Sequence, residues 1–424
     1  MPREMKDSGI EWIGEIPSEW KVAMLKRIAS IQTGSTPAKS EENIYYSTEK
    51  GIPWIKAENL GTNLSIKETT VYLTDDGAKE GRVFEPNTVY VCCIASVGKV
   101  GYSELTASCN QQINALCFKN FNWKYGYYMS CSQEMEYLLN ASGNVMKIIN
   151  SDKQSSIMCP VPPLSEQQKI AAHLDSECAK IDDVISKSKA TIEEYKKLKQ
   201  SVITEAVTKG IRLNREMKDS GSVWFNDIPS DWNCQKLKFV FHIQKDIAGE
   251  EGYTVLSITQ KGIIPKDLSK NEGQLAQNYS NYQFVHIGDF AMNHMDLLTG
   301  WVDISKYEGV TSPDYRVFVL NNAENNSKNY YLYMMQMCYS NKIFYGLGQG
   351  VSGFGRWRLQ ADKFLNFYIP IPPYEEQQEI ADYLDKKCSE IDNLIAKKEQ
   401  IVTELESYKK SLIYEYVTGK KEVV

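Results

Sequence analysis

The chain has 424 residues, 42% of them apolar, with 48 basic and 54 acidic side chains for a net charge of −6 at neutral pH. That length predicts two or three domains, each able to bury its own core, and the negative balance excludes a generic cationic coat for nucleic acid. No apolar run reaches the ~18 to 20 residues of a membrane span, and the charged N-terminus is unlike a signal peptide, which points to a cytoplasmic protein without membrane contact.

The first element in chain order is a lead-in at residues 5–20, MKDSGIEWIGEIPSEW. A strand-rich stretch at 32–159 follows, carrying ASVGKVGY at 95–102 and NQQINALCF at 110–118. Next comes PVPPLSEQQKIAAHLD at 160–175, where the prolines stop any earlier element. Ser165 with Gln168 reads as a capping box, and Ile170 and Leu174 share one helical face. Beyond them the spacing alternates three and four through Ile181, Val184, Ser188, Thr191, Tyr195, Leu198 and Val202. This is an a/d seam of about four heptads. With no Gly or Pro until Gly210, the helix extends over about 28 residues, or about 42 Å at the α-helical rise. The segment 176–180 contains no breaker, so whether the Pro-Pro helix continues into the seam helix is open.

The same order then repeats about 210 residues on. The lead-in returns at 217–232 as MKDSGSVWFNDIPSDW, and the Pro-Pro helix at 370–385 as PIPPYEEQQEIADYLD, with Glu375 in place of the serine and a weaker cap expected. The seam returns as Ile391, Leu394, Lys398, Ile401, Leu405, Tyr408 and Leu412, with Ser188 and Lys398 forming a polar layer in register. A unit this long is no solenoid repeat; it is a duplicated domain with its connector. The two inserts, 32–159 and 244–369, are of nearly equal length yet barely alike, with only an echo of ASVGKVGY in LLTGWVDI at 297–304. Retained frames around divergent inserts suit one scaffold presenting two different recognition surfaces.

The expected fold class is α+β. Two mixed α/β recognition domains are separated by a coiled-coil-like pair of long antiparallel helices, as a pseudo-twofold internal duplication with a dumbbell outline. The expected boundaries are 1–159 for the first recognition domain, 160–210 for the first helical connector, 211–369 for the second recognition domain, and 370–424 for the second helical region.

The chain offers little for catalysis. It has no phosphate-binding Gly-x-x-x-x-Gly-Lys-Ser/Thr loop; GLGQGVSGFG at 346–355 is glycine-rich but lacks the lysine. PVPP and PIPP lack the acid or amide that adenine methyltransferases place before Pro-Pro. Asp75-Asp76 and Asp182-Asp183 have no histidine nearby in sequence and read as solvated. Ten scattered cysteines without a Cys-x-x-Cys, beside four histidines, point to reduced buried thiols and to no metal site. Acidic and basic residues nearly balance in each insert, so nucleic acid would be held by local patches and by partner subunits.

The doubled PxPPxxEQQxIAxxLD element, the following Ile-Asp pairs Ile181-Asp182 and Ile391-Asp392, and the helix ends at Val207-Thr208 and Val417-Thr418 resemble the Type I restriction-modification specificity subunit. The resemblance covers nearly the whole chain. IQTGSTP at 31–37, GIPWIKAENL at 51–60 and GLGQGVSGFGRWRLQADKFLNFYIPIPP at 346–373 look like that family's target-recognition domains. It implies a non-catalytic subunit whose two target-recognition domains each read one half of a bipartite, asymmetric double-stranded DNA sequence. The helices would fix the spacer and dock two methyltransferase subunits, which restriction-translocase subunits would join. S-adenosylmethionine, ATP and Mg would be bound by those partners and none of them by this chain.

Base edges in the major groove are read by Arg or Lys on guanine and by Asn or Gln on adenine. In the first insert Lys99, Asn110, Gln111, Gln112 and Asn114 combine such residues with glycine, and Gln32, Thr33, Ser35 and Lys56 are further candidates. In the second insert they are Gln349, Ser352, Arg356 and Arg358, with Lys261, Asn293 and His294. The structural alternative is that NQQIN is a strand whose amides satisfy buried backbone and that Arg356 or Arg358 pairs with Asp362. The 26 tyrosines, spread through inserts and helices, suit core packing better than a stacking platform. Two other functions compete: a two-lobed scaffold that reads no DNA, and an enzyme with its own transferase or nuclease centre. A silent cassette supplying recognition domains would have the same sequence features.

Overall fold

A computed structural model of the chain describes residues 3–38, 42–61, 65–267, 278–350 and 357–423. The backbone divides into two compact units, Met1–Ala190 with Lys398–Val424, and Thr191–Lys397. Both contain parts of two long helices, Leu164–Lys209 of 46 residues and Tyr374–Val417 of 44 residues.

In the first unit, an antiparallel sheet has the strand order Val100–Ser103, Thr88–Cys92, Ile113–Phe118, Ala29–Thr33. A second sheet is mixed: Ile52–Ile55 pairs in parallel with Ala107–Cys109, which pairs antiparallel with Val83–Phe84. The strand Met158–Val161 pairs with Lys21–Met24, bringing the end of the insert back beside the lead-in. In the second unit, the sheet Phe241–Gln244, Arg316–Leu320, Phe290–Met292, Val302–Ile304 repeats the first antiparallel sheet strand for strand. Tyr368–Ile371 likewise closes on Asn233–Lys236.

The repeated sequence motifs form the same polar lock in each unit. Glu166 accepts hydrogen bonds from the indole of Trp20 at 2.9 Å and from Arg3 at 2.5 and 2.8 Å. Glu376 takes the indole of Trp232 at 3.0 Å and the guanidinium of Arg215, and is 1% exposed. The next residue fastens the tyrosine-bearing helix. Gln167 donates to Pro162 O and accepts from the backbone N–H of Asn122, the N-cap of Trp123–Ser132. Gln377 does the same with Pro372 O and Ser327, the N-cap of Lys328–Ser340. Buried Tyr125 then donates to Val417 O at 2.9 Å, and Tyr330 to Val207 O at 3.1 Å. Gly419 and Gly210, both at positive φ, end the long helices just beyond those carbonyls, the conformation glycine adopts without strain. The Pro-Pro, Glu-Gln-Gln and Val-Thr signatures are thus parts of one hydrogen-bonded device made twice.

Three expectations are corrected. The long helices start at Leu164 and Tyr374, directly after the prolines, so Ser165 lies inside the first turn and is no capping residue. The Pro-Pro and seam helices are one element, and at about 1.5 Å per residue the two measure about 69 and 66 Å rather than 42 Å. The seam keeps Ile181, Ser188, Ile391 and Leu412 but shifts by one residue at alternate positions. Ile181, Ile185, Ser188 and Ile192 are buried, whereas Val184, Leu198, Leu394, Ile401 and Tyr408 are exposed. The cause is the adjacent apolar pairs Val184-Ile185, Leu394-Ile395 and Ile401-Val402: neighbours on a helix point about 100° apart, and the second member takes the inner face. In the first unit Ile181 and Ile185 share a core with Val402 and Leu412. The segments run antiparallel there, as Lys409 bonds Asp182 and Lys189 bonds Glu406. In the second unit Lys199 meets Asp392 and Arg212 meets Glu379, again antiparallel.

Candidate nucleic-acid interface

The first unit gathers its candidates where the two sheets meet. Ser35 N donates to Cys109 O and Gly34 N to Ile113 O, both at 2.9 Å. A Cβ on Gly34 would lie 2.3 Å from Cys109 O and 2.4 Å from Asn110 O, so only glycine lets the segments pack this tightly. The approach places Gln32, Thr33 and Ser35 beside Asn110, Gln111 and Gln112, with Thr36 hydrogen-bonded to Gln111. Cys93 N donates to Gln112 O and Cys92 N to Lys99 O, which adds the exposed Lys99 loop to the same end of the sheet. Lys56 lies 5.1 Å over the Trp54 ring, and the Trp54 indole donates to Ser35 O.

Asn114 does not join this face. It is fully buried, donates to Gln154 at 2.7 Å and accepts from Thr33 at 2.8 Å. Asn114 is thus a structural amide within the strand Ile113–Phe118, satisfying side chains and not buried backbone, while residues 110–112 lie before the strand. Arg82 was missed by the sequence reading. It is exposed, donates to Thr33 O at 2.5 Å, and its backbone N–H donates to Ser35 Oγ. The signal was available, since Gly81-Arg82 is the same glycine-plus-cation pattern used elsewhere.

In the second unit Asn293, His294, Gln349 and Arg358 converge. Leu359 N donates to His294 O, Gln349 pairs with Arg358 across a short ladder, and Gln360 donates to Gln349. The Arg358 guanidinium meets Met295 Sδ at 2.7 Å and Asp314 at 3.4 Å, not Asp362, which accepts from Asn366 instead. Lys261 is exposed on the turn between Leu256–Thr259 and Gly262–Pro265, and its neighbour Gln260 donates to Thr299 O. Ser352 and Arg356 lie outside the described residues.

The registers show how the two faces diverge. Gln32 pairs with Ala115 and Gln244 with Val317, so Asn114 and Arg316 occupy one sheet position. By the same ladders Lys99 corresponds to Trp301, and Cys93 to His294. Asn114 bonds Gln154, whereas Arg316 stacks 4.9 Å from the Phe364 ring and donates to Leu359 O at 2.8 Å. Arg316 is 4% exposed, and burial pulls it down to about 10, still cationic at neutrality. Burial, with the nearby Arg316 and Arg358 charges, holds His294 down at about 3. Its ring is therefore neutral at pH 7, with Nδ1 buried and without a hydrogen-bond partner among the described residues.

Among the described residues no group of three or more His, Cys, Asp or Glu is placed to hold a metal ion. No described helix is long and apolar enough to cross a membrane.

A family model described as the Type I restriction modification DNA specificity domain matches residues 17–194 and again 229–406. The chain is 25% identical to the Type I restriction enzyme MjaVIII specificity subunit of Methanocaldococcus jannaschii, over 96% of this chain and 94% of that one. It is 21% identical to the Type I restriction enzyme EcoBI specificity subunit of Escherichia coli, over 92% and 84% respectively. A chain from a structural study of type I R-M complex assembly superposes with a TM-score of 0.67 at 14% identity, over 96% of this chain and 99% of that one. This last likeness concerns the fold alone.

Proposed function

Because the chain belongs to the family of the Type I restriction modification DNA specificity domain, we propose that its two faces read the two halves of one bipartite, asymmetric double-stranded DNA target. Members of this family recognise DNA for type I restriction-modification systems, and the subunit is non-catalytic, the chemistry belonging to other subunits. The observation that carries the proposal is divergence at fixed positions. The Trp-Glu-Arg lock and the antiparallel sheet are retained in both units, while at the open end of the sheet the exposed Lys99 gives way to Trp301 and Cys93 to His294. A scaffold that read nothing would have no use for two different faces on one frame.

We place the first reading domain at 1–159 and the second at 211–369, with the helical regions 160–210 and 370–424 serving spacing and assembly. Direct readout falls to the exposed groups: Gln32, Gln111 and Lys99 in the first unit, Lys261, Gln349 and Arg358 in the second. The exposed apolar residues on the long helices, Val184, Ile401 and Tyr408 in one unit and Leu198 and Leu394 in the other, suit docking of two methyltransferase subunits. Restriction subunits join that assembly, and S-adenosylmethionine, ATP and Mg are bound by the partners. The test is selection of random duplexes by the co-expressed complex. An enriched motif of two unlike halves across a fixed gap is expected. Exchanging residues 32–159 for the insert of another such chain then changes one half only. Enrichment of no motif, or a change in both halves, overturns the proposal.

A further inference from the structure

The loop at 142–148 in the first unit is a closed, projecting turn. Ser142 N donates to Ile148 O and Ile148 N to Ser142 O, both at 2.8 Å. Gly143 sits at φ +106°, and a Cβ there would lie 2.1 Å from Met146 O, so the turn depends on glycine. Its tip is apolar: Val145 is fully exposed and Met146 is 51% exposed. Leaving apolar side chains in water forgoes the free energy of their burial, though a single surface residue would need no further account.

This tip, however, is held rigidly against the candidate interface. Ala95 N donates to Lys147 O at 3.0 Å, Ile149 N to Cys93 O at 2.9 Å, and Lys153 to Ser142 Oγ at 2.6 Å. Cys93 is the residue whose N–H holds Gln112 O, and Ala95, at φ +64°, begins the loop carrying Lys99. Strained backbone fixed by surrounding bonds is a mark of functional loops. An apolar pair thus stands next to exposed Lys147, on a turn whose backbone is bonded to the loop that carries exposed Lys99.

We propose that Val145 and Met146 form a wedge that inserts at a base step of the DNA next to the half-site read by the first unit, unstacking that step while Lys147 holds a flanking phosphate. The inference rests on the DNA-reading function above. Apolar wedges of this kind enter from the minor groove, part a base step and kink the duplex toward the major groove, so the step lies beside the stretch whose major groove is read. Even with Ile148, Met135 and Leu139, the exposed apolar side chains here are few for a protein interface of roughly 800 Å² per partner, whereas the Val145-Met146 tip matches one base step and Lys147 matches phosphate charge. The competing occupant is a protein partner extending over Met135 and Leu139, which are exposed on the preceding helix Glu134–Asn140.

The experiment uses the co-expressed complex and its selected target, with 2-aminopurine placed in turn at each position of the first half-site and its flanks. Wild type should raise the fluorescence at one step away from the methylated adenine. A double variant, Val145→Ser with Met146→Ser, should abolish that rise and weaken binding about tenfold or more, and a mismatch at the same step should restore binding. Both residues are exposed, so the fold should be unaffected. An unchanged fluorescence profile and affinity in the variant overturns the wedge. Loss of partner subunits on size-exclusion chromatography also overturns it and assigns the tip to a protein. If the wild-type complex selects no sequence at all, it is the DNA-reading function that fails, a result distinct from either.

Discussion

His294 and Glu376 each make a prediction that depends on one side chain. The imidazole of His294 titrates at about 3 in the folded chain, against the ordinary 6.5. Between those values the unfolded chain binds the extra proton, so this contribution to stability is present above pH 6.5 and is lost as pH falls toward 3. The melting temperature of wild type relative to a His294→Asn variant should therefore fall from pH 7 to pH 5; a constant offset would contradict the assignment. Glu376 is nearly inaccessible and holds both Arg215 and Trp232. Glu376→Ala leaves Arg215 with its second partner Asp231 but strands the buried Trp232 indole and removes a charge-assisted hydrogen bond, at a cost of about 1.5–3 kcal/mol. Glu376→Ala should thus be destabilised by that order in chemical denaturation, and Glu166→Ala by less, because the Glu166 side chain is 21% exposed. Equal losses would mean that burial does not set the strength of the lock. These roles were only partly legible in sequence. The Glu-Gln-Gln run announced itself by repetition, but its partners, Arg3 and Trp20, lie about 150 residues away. Asn114 is not separable from a base reader by sequence, because an amide has the same letter whether it faces DNA or, as here, Gln154.

The long helices were legible as helices and misjudged in detail. Their three-four spacing and lack of Gly or Pro were sufficient to identify them, yet adjacent apolar pairs such as Ile401-Val402 satisfy two seams equally well. Only packing shows that Val402 is buried and Ile401 exposed. That outward residue leads to a prediction about assembly. Ile401→Glu and Leu394→Glu should leave the melting temperature nearly unchanged, as surface substitutions usually do. They should markedly reduce co-purification of the methyltransferase subunits, and full retention of those subunits would remove the helices as their docking surface. Length makes a second prediction. If the helices set the spacer, inserting one heptad into each preserves the seam and adds about 10 Å, or about three base pairs at 3.4 Å each. The selected motif should keep both halves and gain a longer gap. An unchanged gap would show that something other than helix length sets the spacer.

The duplication is the most legible property of the chain, because a repeated lock must keep its tryptophan, glutamate, glutamine and tyrosine to close twice. The reading faces are the least legible, for the complementary reason. Exposed positions such as Lys99, which corresponds to Trp301 in the second unit, have few packing partners, so packing places little restriction on what they carry. One frame with two independently variable faces is the central claim, and it is tested most directly by mapping N6-methyladenine at base resolution across the host genome with and without this gene. The account predicts loss of a single bipartite motif with two unlike halves at a fixed spacing. Loss of a motif with one continuous or palindromic half-site, or no change while the intact complex is expressed, would contradict it.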